Sequence, residues 1–202
     1  LDEWMDVRTP KIDGTNITLI YKNRKLHLAL TRGNGHRGDD VTKLVREITN
    51  IPLKIVTDHA QVVINGECVT DNKVDNFRNY VSGALGLKSP VEFKERNIKF
   101  IAHDILSLTM NYTTKINILQ NMDFFTVLDD AAWEYPCDGV VYRCNDWQRC
   151  NNLGYTSKYP RFAVALKTRE ESTETTILKD VLWTIGRTGV AAPTGIVDPI
   201  VL

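Results

Sequence analysis

The sequence predicts a mixed α+β domain followed by a smaller all-β region. Its 202 residues are 43% hydrophobic and 25% charged, which is enough apolar material for one large core and one small core. Short runs rich in β-branched and aliphatic residues outnumber the helical patterns, which favours an α+β fold over a doubly wound parallel sheet. We expect the first domain at residues 1–170 and the beginning of the second at residues 171–202, with the charged stretch Thr168–Thr175 as the linker.

A β-hairpin and a loop are expected near the start of the chain. The runs Asn16–Tyr21 and Lys25–Thr31 are rich in strand-forming residues and flank the polar tripeptide Lys22-Asn23-Arg24, a pattern typical of a hairpin. Three glycines then indicate that Thr31–Gly38 is a loop.

Helices are expected where apolar residues recur every three or four positions. Asp39 or Asp40 can cap a helix after the loop, and Pro52 lies just beyond its end. A second helix should end at Gly86, and a third should span Thr113–Asn121. The apolar stripe of the first helix is Val41, Leu44, Val45 and Ile48, and that of the second is Val74, Phe77, Val81 and Leu85.

Further strands follow the same compositional signal through the rest of the chain. Asn65-Gly66 should interrupt the expected strand Gln61–Val69, and Cys137-Asp138 should open the expected strand Gly139–Cys144. Two strands of the second domain should flank the turn Gly186-Arg187-Thr188-Gly189. The expected strands are Gln61–Val69, Lys99–Ile105, Gly139–Cys144, Arg161–Lys167, Ile177–Ile185 and Gly195–Leu202.

Charge and composition exclude several classes of protein. The 25 basic and 25 acidic residues cancel, so binding of nucleic acid through bulk charge is not expected. No apolar run reaches the roughly 18–20 residues needed to span a bilayer, and no signal-peptide core is present at the start. The four cysteines contain no C-x-x-C pair and the four histidines are scattered, so a zinc site is not expected from spacing. Because the chain begins at Leu1 and ends in a strand-like run, we expect it to be part of a longer polypeptide.

A candidate nucleophile lies in the segment Pro10-Lys11-Ile12-Asp13-Gly14. Residues two apart in an extended segment project to one face, so the Lys11 amine and the Asp13 carboxylate should lie side by side. Gly14 would allow the backbone to turn sharply after them. A lysine becomes nucleophilic when burial or neighbouring cations favour its neutral form. The segment alone also fits a solvated surface lysine, and the glycine-rich Thr31-Arg32-Gly33-Asn34-Gly35 and later motifs favour the catalytic interpretation.

Six motifs in order resemble the adenylation (nucleotidyltransferase) domain of NAD-dependent DNA ligases. The segment P-K-I-D-G resembles the nucleophile motif of that family, and T-R-G-N-G-H-R-G-D-D-V-T is similar to a signature that ATP-dependent ligases and capping enzymes do not share. The later motifs are I-N-G-E-C from Ile64, C-D-G-V-V-Y-R from Cys137, the run that ends F-A-V-A-L-K at Lys167, and W-T-I-G-R-T-G. The resemblance implies the ATP-grasp-like nucleotidyltransferase fold of ligase adenylation domains, with antiparallel sheets, followed by a partial all-β OB-fold.

The resemblance also implies a role for each matching residue. Lys11 matches the lysine that becomes adenylated, and Asp13 belongs to the same motif. Glu67 and Asp138 match carboxylates near the ribose and the reacting phosphate, and both are candidate ligands for Mg²⁺. The other matches are Arg32 near the sugar, His103 where an aromatic ring usually stacks on adenine, Arg143 where a lysine often lies over the base, Lys167 on the α-phosphate, and Arg78 and Arg161 on DNA.

Several features depart from the pattern of that family. Thr9 stands where glutamate is usual, and the intervals from Glu67 to Arg78 and from His103 to Asp138 are short. Only ten residues precede Lys11, so the N-terminal domain that binds the nicotinamide mononucleotide half of NAD is expected elsewhere, on the same or another chain.

The function implied by the resemblance is NAD-dependent DNA ligation. Lys11 would take AMP from NAD, pass it to the 5′-phosphate of nicked double-stranded DNA, and the strand would then be sealed, as in DNA replication and repair. NAD and Mg²⁺ are the expected cofactors, and the expected location is the cytoplasm of a bacterium or of the host of a virus or phage. Two alternatives remain open: an ATP-dependent nucleotidyltransferase of the same superfamily, and a catalytically silent DNA-binding or ligase-like subunit.

Overall fold

The computed structural model describes residues 5–33, 38–156, 159–167, 175–185 and 189–199. The chain divides into two units, Leu1–Thr168 and Arg169–Leu202. Within the described ranges, no helix is both long and apolar enough to cross a bilayer. The predicted linker Thr168–Thr175 lies almost wholly outside the described residues, and the assignment of domains to 1–170 and 171–202 stays a prediction.

Two antiparallel sheets form the first unit, which confirms the mixed α and β architecture. One sheet has the strand order β3-β2-β4-β5, and the other has the order β1-β6-β7. The strands are β1 Val7–Ile12, β2 Thr15–Lys22, β3 Lys25–Thr31, β4 Gln61–Thr70, β5 Ile98–Ile105, β6 Cys137–Arg143 and β7 Ala163–Lys167. The helices are α1 Thr42–Val45, α2 Phe77–Leu85, α3 Pro90–Lys94, α4 Tyr112–Asn121 and α5 Trp147–Leu153, with a 3₁₀ helix at Asp130–Glu134.

The four-stranded sheet has one apolar face and one polar face. Along β2, the buried Ile17, Leu19 and Tyr21 alternate with partly exposed residues, as period-two side-chain geometry requires. Strand β4 alternates in the same way from Gln61 to Cys68, and its last three residues are all buried. On the apolar side, the rings of Tyr21 and Phe100 each lie 6.1 Å from the ring of Phe124 in edge-on geometry. The polar face is therefore left available for a ligand.

The predicted hairpin is confirmed, with β2 and β3 joined at Asn23 and Arg24. Both residues have positive φ, 49° and 67°, which is the geometry that matches the right-handed twist of hairpin strands. The glycine at the β1–β2 junction has a different role from the one expected. Gly14 does not appear among the residues of positive φ; a Cβ there would overlap the Cys68 carbonyl oxygen, so close approach is what requires glycine.

The first helix is shorter than predicted and begins differently. The Asp40 carboxylate accepts from the Thr42 backbone N–H at 2.9 Å and from its hydroxyl, which closes a turn before the helix. Val41 is therefore the N-cap residue, the helix ends at Val45, and Ile48 is buried beyond it. The prediction of a side-chain cap from Asp39 or Asp40 was wrong, because the aspartate bonds locally within the turn.

Asn65-Gly66 does not interrupt β4, contrary to the prediction. The strand continues through both residues, and only its register with β5 shifts there. A Cβ at Gly66 would overlap the Phe100 ring and the Ile101 carbonyl oxygen, so the glycine permits close packing inside the strand. The helices α3 and α5 and the 3₁₀ helix were not predicted, since each is only five to seven residues long.

The second unit contains one described antiparallel pair, β8 Leu178–Ile185 and β9 Ala191–Val197. The second of these strands begins four residues earlier than predicted and ends at Val197 rather than Leu202. Residues 186–188, within the predicted turn, and residues 200–202 lie outside the described ranges. The OB-fold assignment remains a prediction.

Candidate active site

Two adjoining cavities lie over the polar face of the four-stranded sheet. Their volumes are about 520 Å³ and about 720 Å³, within the usual range for small-molecule sites. The two share part of their lining, at Asn16, Thr31, Arg32 and Glu67. Arg78 lines the smaller cavity, whereas His103 and Arg143 line the larger one. The structure thus brings five of the sequence-predicted site residues to one continuous surface.

Lys11 is held in a cluster of charges where β1 lies beside β6. Its Nζ donates to Oδ1 of Asp138 at 2.5 Å, and Nζ of Lys167 lies 3.6 Å from Oδ2 of the same carboxylate. The side chains of Lys11 and Asp138 are 23% and 29% exposed, so the pair is partly shielded from water while Lys167 is open to solvent. Register explains the contact, because β1 runs antiparallel to β6 and places these residues together across 127 positions of sequence.

The Asp138 carboxylate is ionised in this setting. Partial burial opposes its ionisation, but the hydrogen bond from Lys11 and the charges of Lys11, Lys167 and Arg78 outweigh burial and lower the pKa of Asp138. The nearest acceptor for a proton on Lys11 is therefore a charged carboxylate oxygen.

Asp13 has a different partner from Lys11. Strand β1 ends at Ile12, and the Asp13 backbone N–H donates to the Pro136 carbonyl at 2.8 Å. Its carboxylate pairs with Nη2 of Arg78, also at 2.8 Å. Lys11 and Asp13 are thus both present near β6, but each is oriented by its own counter-ion.

Glu67 is the carboxylate shared by the two cavities. Burial raises its pKa to about 7, and this rise is opposed by a hydrogen bond from Asn16 and by the charges of Arg78, Lys11 and Arg32. The positive charges of Arg78, Lys11 and Arg32 thus all lie close enough to Glu67 to stabilise its ionised form.

His103 and Arg143 meet around the ring of Tyr112. The Arg143 guanidinium carbon lies 4.0 Å from the Tyr112 ring centroid, and the Tyr112 hydroxyl donates to the His103 carbonyl at 2.9 Å. Burial, and then the Arg143 charge, lower the pKa of His103 to about 4, so its ring is neutral at physiological pH. Nε of Arg143 is buried and has no hydrogen-bond partner among the residues that the structure describes, which leaves a donor for a ligand.

Arg161 does not line either cavity in the part of the chain that the structure describes. It is exposed, and its backbone N–H donates to the Gly154 carbonyl at 3.0 Å. Arg32 is exposed at the rim of both cavities, and residues 34–37 of the glycine-rich segment lie outside the described ranges.

Sequence reasoning missed Asn16 and Tyr112. Strand alternation could have found Asn16, because it shares the polar side of β2 with Thr18. Tyr112 carries no such signal, since only tertiary packing places its ring under Arg143. No group of three or more His, Cys, Asp or Glu side chains suited to a metal occurs in the described part of the chain.

The sequence of this chain is similar to those of known proteins. The chain matches the NAD-dependent DNA ligase adenylation domain over residues 4–130 and 128–171. Among similar curated proteins, the DNA ligase of Campylobacter hominis is 32% identical over 95% of this chain and 35% of its own length. The DNA ligase of Finegoldia magna is 32% identical over 94% of this chain and 34% of its own length. That of Anaplasma phagocytophilum is 33% identical over 95% of this chain and 33% of its own length. The chain spans about a third of the length of these relatives.

The matched residues contain Lys11, Glu67, Asp138 and Lys167, the groups that the structure gathers around the two cavities and the β1–β6 junction. This chain therefore belongs to the NAD-dependent DNA ligase family, as an adenylation domain.

Proposed function

We propose that this chain performs the nucleotidyl-transfer chemistry of an NAD-dependent DNA ligase, with Lys11 as the nucleophile. The observation that carries the proposal is the Lys11–Asp138–Lys167 cluster, an amine held by a carboxylate beside a second cation. Such a group of cations suits phosphoryl-type transfer, which depends mainly on positioning and on neutralising developing charge.

The first step forms a bond between Lys11 and AMP. Nζ attacks the α-phosphorus of NAD and forms a P–N bond, and its proton passes to Oδ1 of Asp138, the acceptor that it already contacts. The P–O bond to nicotinamide mononucleotide breaks, and that group leaves with the electron pair. Asp138 orients the amine through its 2.5 Å contact, and Lys167 lies where it can balance charge on the phosphate oxygens.

The cavities supply recognition of the nucleotide. Glu67 is a hydrogen-bond acceptor for the sugar hydroxyls, and Arg32 lies at the same rim. His103 offers a neutral ring to the base, and Arg143 offers its buried Nε donor. The larger cavity, which contains both, is therefore assigned to the adenosine half of NAD.

The residues fit a Mg²⁺ ion that arrives with phosphate rather than a resident metal. Mg²⁺ usually binds through one or two carboxylates together with substrate phosphates and water. Asp138 and Glu67 are the candidate carboxylates, and no larger ligand cluster occurs in the described residues. The bound ion would supply charge neutralisation at the phosphates.

The remaining steps require DNA and a second module. AMP would pass from Lys11 to the 5′-phosphate at a nick in double-stranded DNA, and the 3′-hydroxyl would then displace AMP. Arg78 and Arg161 are the proposed contacts to DNA phosphates. An N-terminal domain that binds nicotinamide mononucleotide, on the same or another polypeptide, would orient the leaving group.

The test is covalent labelling with adenine-labelled NAD and Mg²⁺, with the nicotinamide-binding module supplied. Wild type should acquire label in a peptide that contains Lys11. Lys11→Arg keeps the positive charge beside Asp138 but cannot become a neutral amine, so it should form no adduct. Gln61→Ala, an exposed change at the far end of β4, serves as the matched control and should label normally.

Three results would contradict the proposal. Labelling of Lys11→Arg at the wild-type level would show that another group is the nucleophile. Labelling by ATP but not by NAD would indicate an ATP-dependent transferase. Nick binding without labelling by either nucleotide would indicate a catalytically silent subunit.

A further inference from the structure

Asn16 lies at the border between the two cavities, beside both recognition groups. Its Nδ2 is 3.2 Å from Oε1 of Glu67, 3.2 Å from Nε2 of His103 and 3.1 Å from the Gly66 carbonyl oxygen. Asn16 and Glu67 are direct partners in the β2–β4 register, so their side chains share one face of the sheet. One amide nitrogen therefore contacts the carboxylate assigned to the sugar and the ring assigned to the base.

These contacts fix the orientation of the Asn16 amide. A backbone carbonyl such as that of Gly66 can only accept. The Asn16 atom that faces it must therefore be the nitrogen of the amide rather than its oxygen, and the same nitrogen contacts Glu67.

The amide orientation in turn fixes the tautomer of His103. Nε2 of His103 faces the amide nitrogen, which is a donor, and a hydrogen on Nε2 would place two donors 3.2 Å apart, so the contact favours an Nε2 that accepts. The ring is neutral at physiological pH, and its single N–H proton is therefore on Nδ1.

The number of hydrogens at Asn16 also leaves room for a ligand. A primary amide nitrogen has two hydrogens, but three acceptors lie within 3.2 Å of Nδ2. A carboxylate has about four acceptor positions and Asn16 occupies at most one of them, so Glu67 can accept further hydrogen bonds, and a ligand with a vicinal pair of hydroxyl groups would provide them.

We propose that Asn16 is a positioning residue that couples sugar recognition at Glu67 to base recognition at His103. This inference depends on the proposed function, because it assigns the two cavities to one nucleotide. Asn16 holds the carboxylate by donating to it and holds the imidazole in the Nδ1–H form. Both groups are thereby oriented before NAD binds, which lowers the entropy lost on binding.

The experiment compares two substitutions at this position in the intact polypeptide. Asn16→Ala removes the donor, and Asn16→Asp keeps the size of the side chain but presents only acceptor oxygens when ionised. Gln61→Ala, which lies in neither cavity lining, is the control. The readouts are the ¹⁵N NMR shifts of the His103 ring, assigned by their loss in His103→Phe, and the KM and kcat for adenylate formation from NAD.

Each variant has a distinct expected result. In wild type, Nδ1 of His103 is protonated and Nε2 is not. Asn16→Ala should allow both tautomers and raise KM for NAD roughly 10-fold or more, with a smaller change in kcat, because hydrogen bonds to charged groups are lost. Asn16→Asp should favour the opposite tautomer, with Nε2 protonated, and should raise KM further through repulsion of Glu67.

The results that overturn this inference differ from those that overturn the proposed function. Normal adenylation in wild type, with the His103 tautomer and KM both unchanged in Asn16→Ala, would refute the role of Asn16 alone. An Nε2–H tautomer in wild type would refute it as well. A wild-type chain that forms no adenylate with the module supplied would refute the proposed function together with the coupling that depends on it.

Discussion

Glu67 and His103 should make opposite contributions to the pH dependence of stability. Burial raises the pKa of Glu67 from 4.5 to about 7, so the folded protein takes up this proton before the unfolded chain does. Its contribution to stability is present below pH 4.5 and is lost as pH rises through 7. The pKa of His103 falls from 6.5 to about 4, so its contribution is present above pH 6.5 and is lost as pH falls toward 4.

The two effects are similar in size between pH 8 and pH 5. Proton linkage from these pKa values gives a gain of about 2.5 kcal/mol from Glu67 and a loss of about 2 kcal/mol from His103 when the pH is lowered over this interval. Both side chains retain some contact with water, so each figure is an upper bound. In wild type the two contributions therefore oppose each other.

Single substitutions should reveal each contribution separately. Glu67→Gln leaves only the histidine contribution, so its free energy of unfolding should fall by up to about 2 kcal/mol from pH 8 to pH 5, which is up to about 2.5 kcal/mol below the change in wild type. His103→Phe leaves only the glutamate contribution and should become more stable over the same interval. Urea unfolding at four pH values, without nucleotide or metal, measures both changes.

A surface carboxylate provides the control for this experiment. Asp58 is fully exposed, so Asp58→Asn should follow the pH profile of wild type. Parallel profiles for wild type, Glu67→Gln and His103→Phe would show that neither group has the shifted pKa, and the electrostatic account of the site would be wrong.

Three further substitutions test packing and DNA contact. Gly66→Ala should lower the free energy of unfolding by about 1–3 kcal/mol in urea titration, because a Cβ there overlaps the Phe100 ring; a change within error would contradict the close approach. Ile116→Ala, at a fully buried position, should cost about 2–5 kcal/mol in the same assay, and a smaller loss would show that the site collapses around the cavity. Arg78→Ala should weaken binding to nicked DNA and reduce the slope of log K against log salt concentration by about 1, measured by fluorescence anisotropy. An unchanged slope would mean that Arg78 binds no DNA phosphate and only forms the ion pair with Asp13.

Local patterns in the sequence predicted much of the fold. Runs rich in β-branched and aliphatic residues located β2 and β3, and the expected strands Lys99–Ile105 and Arg161–Lys167 overlap β5 and β7 closely. Two predictions failed for different reasons, a local polar turn at Asp40 and a tertiary contact at Gly66. Asp40 closes a turn where a helix cap was expected, and Gly66 permits close packing where a strand break was expected.

The sequence by itself determined which chemical groups the site contains. Lys11, Glu67, Asp138 and Lys167 occur in ordered motifs, and the identity of an amine or a carboxylate does not depend on folding. Only the tertiary structure decided which of them meet and in which state of charge. Lys11 reaches Asp138 across 127 positions, and Asn16 reaches His103 across 87, through sheet register that no local pattern encodes. Folding also raises the pKa of Glu67 and lowers the pKa of His103, since burial and neighbouring charge exist only in the folded chain.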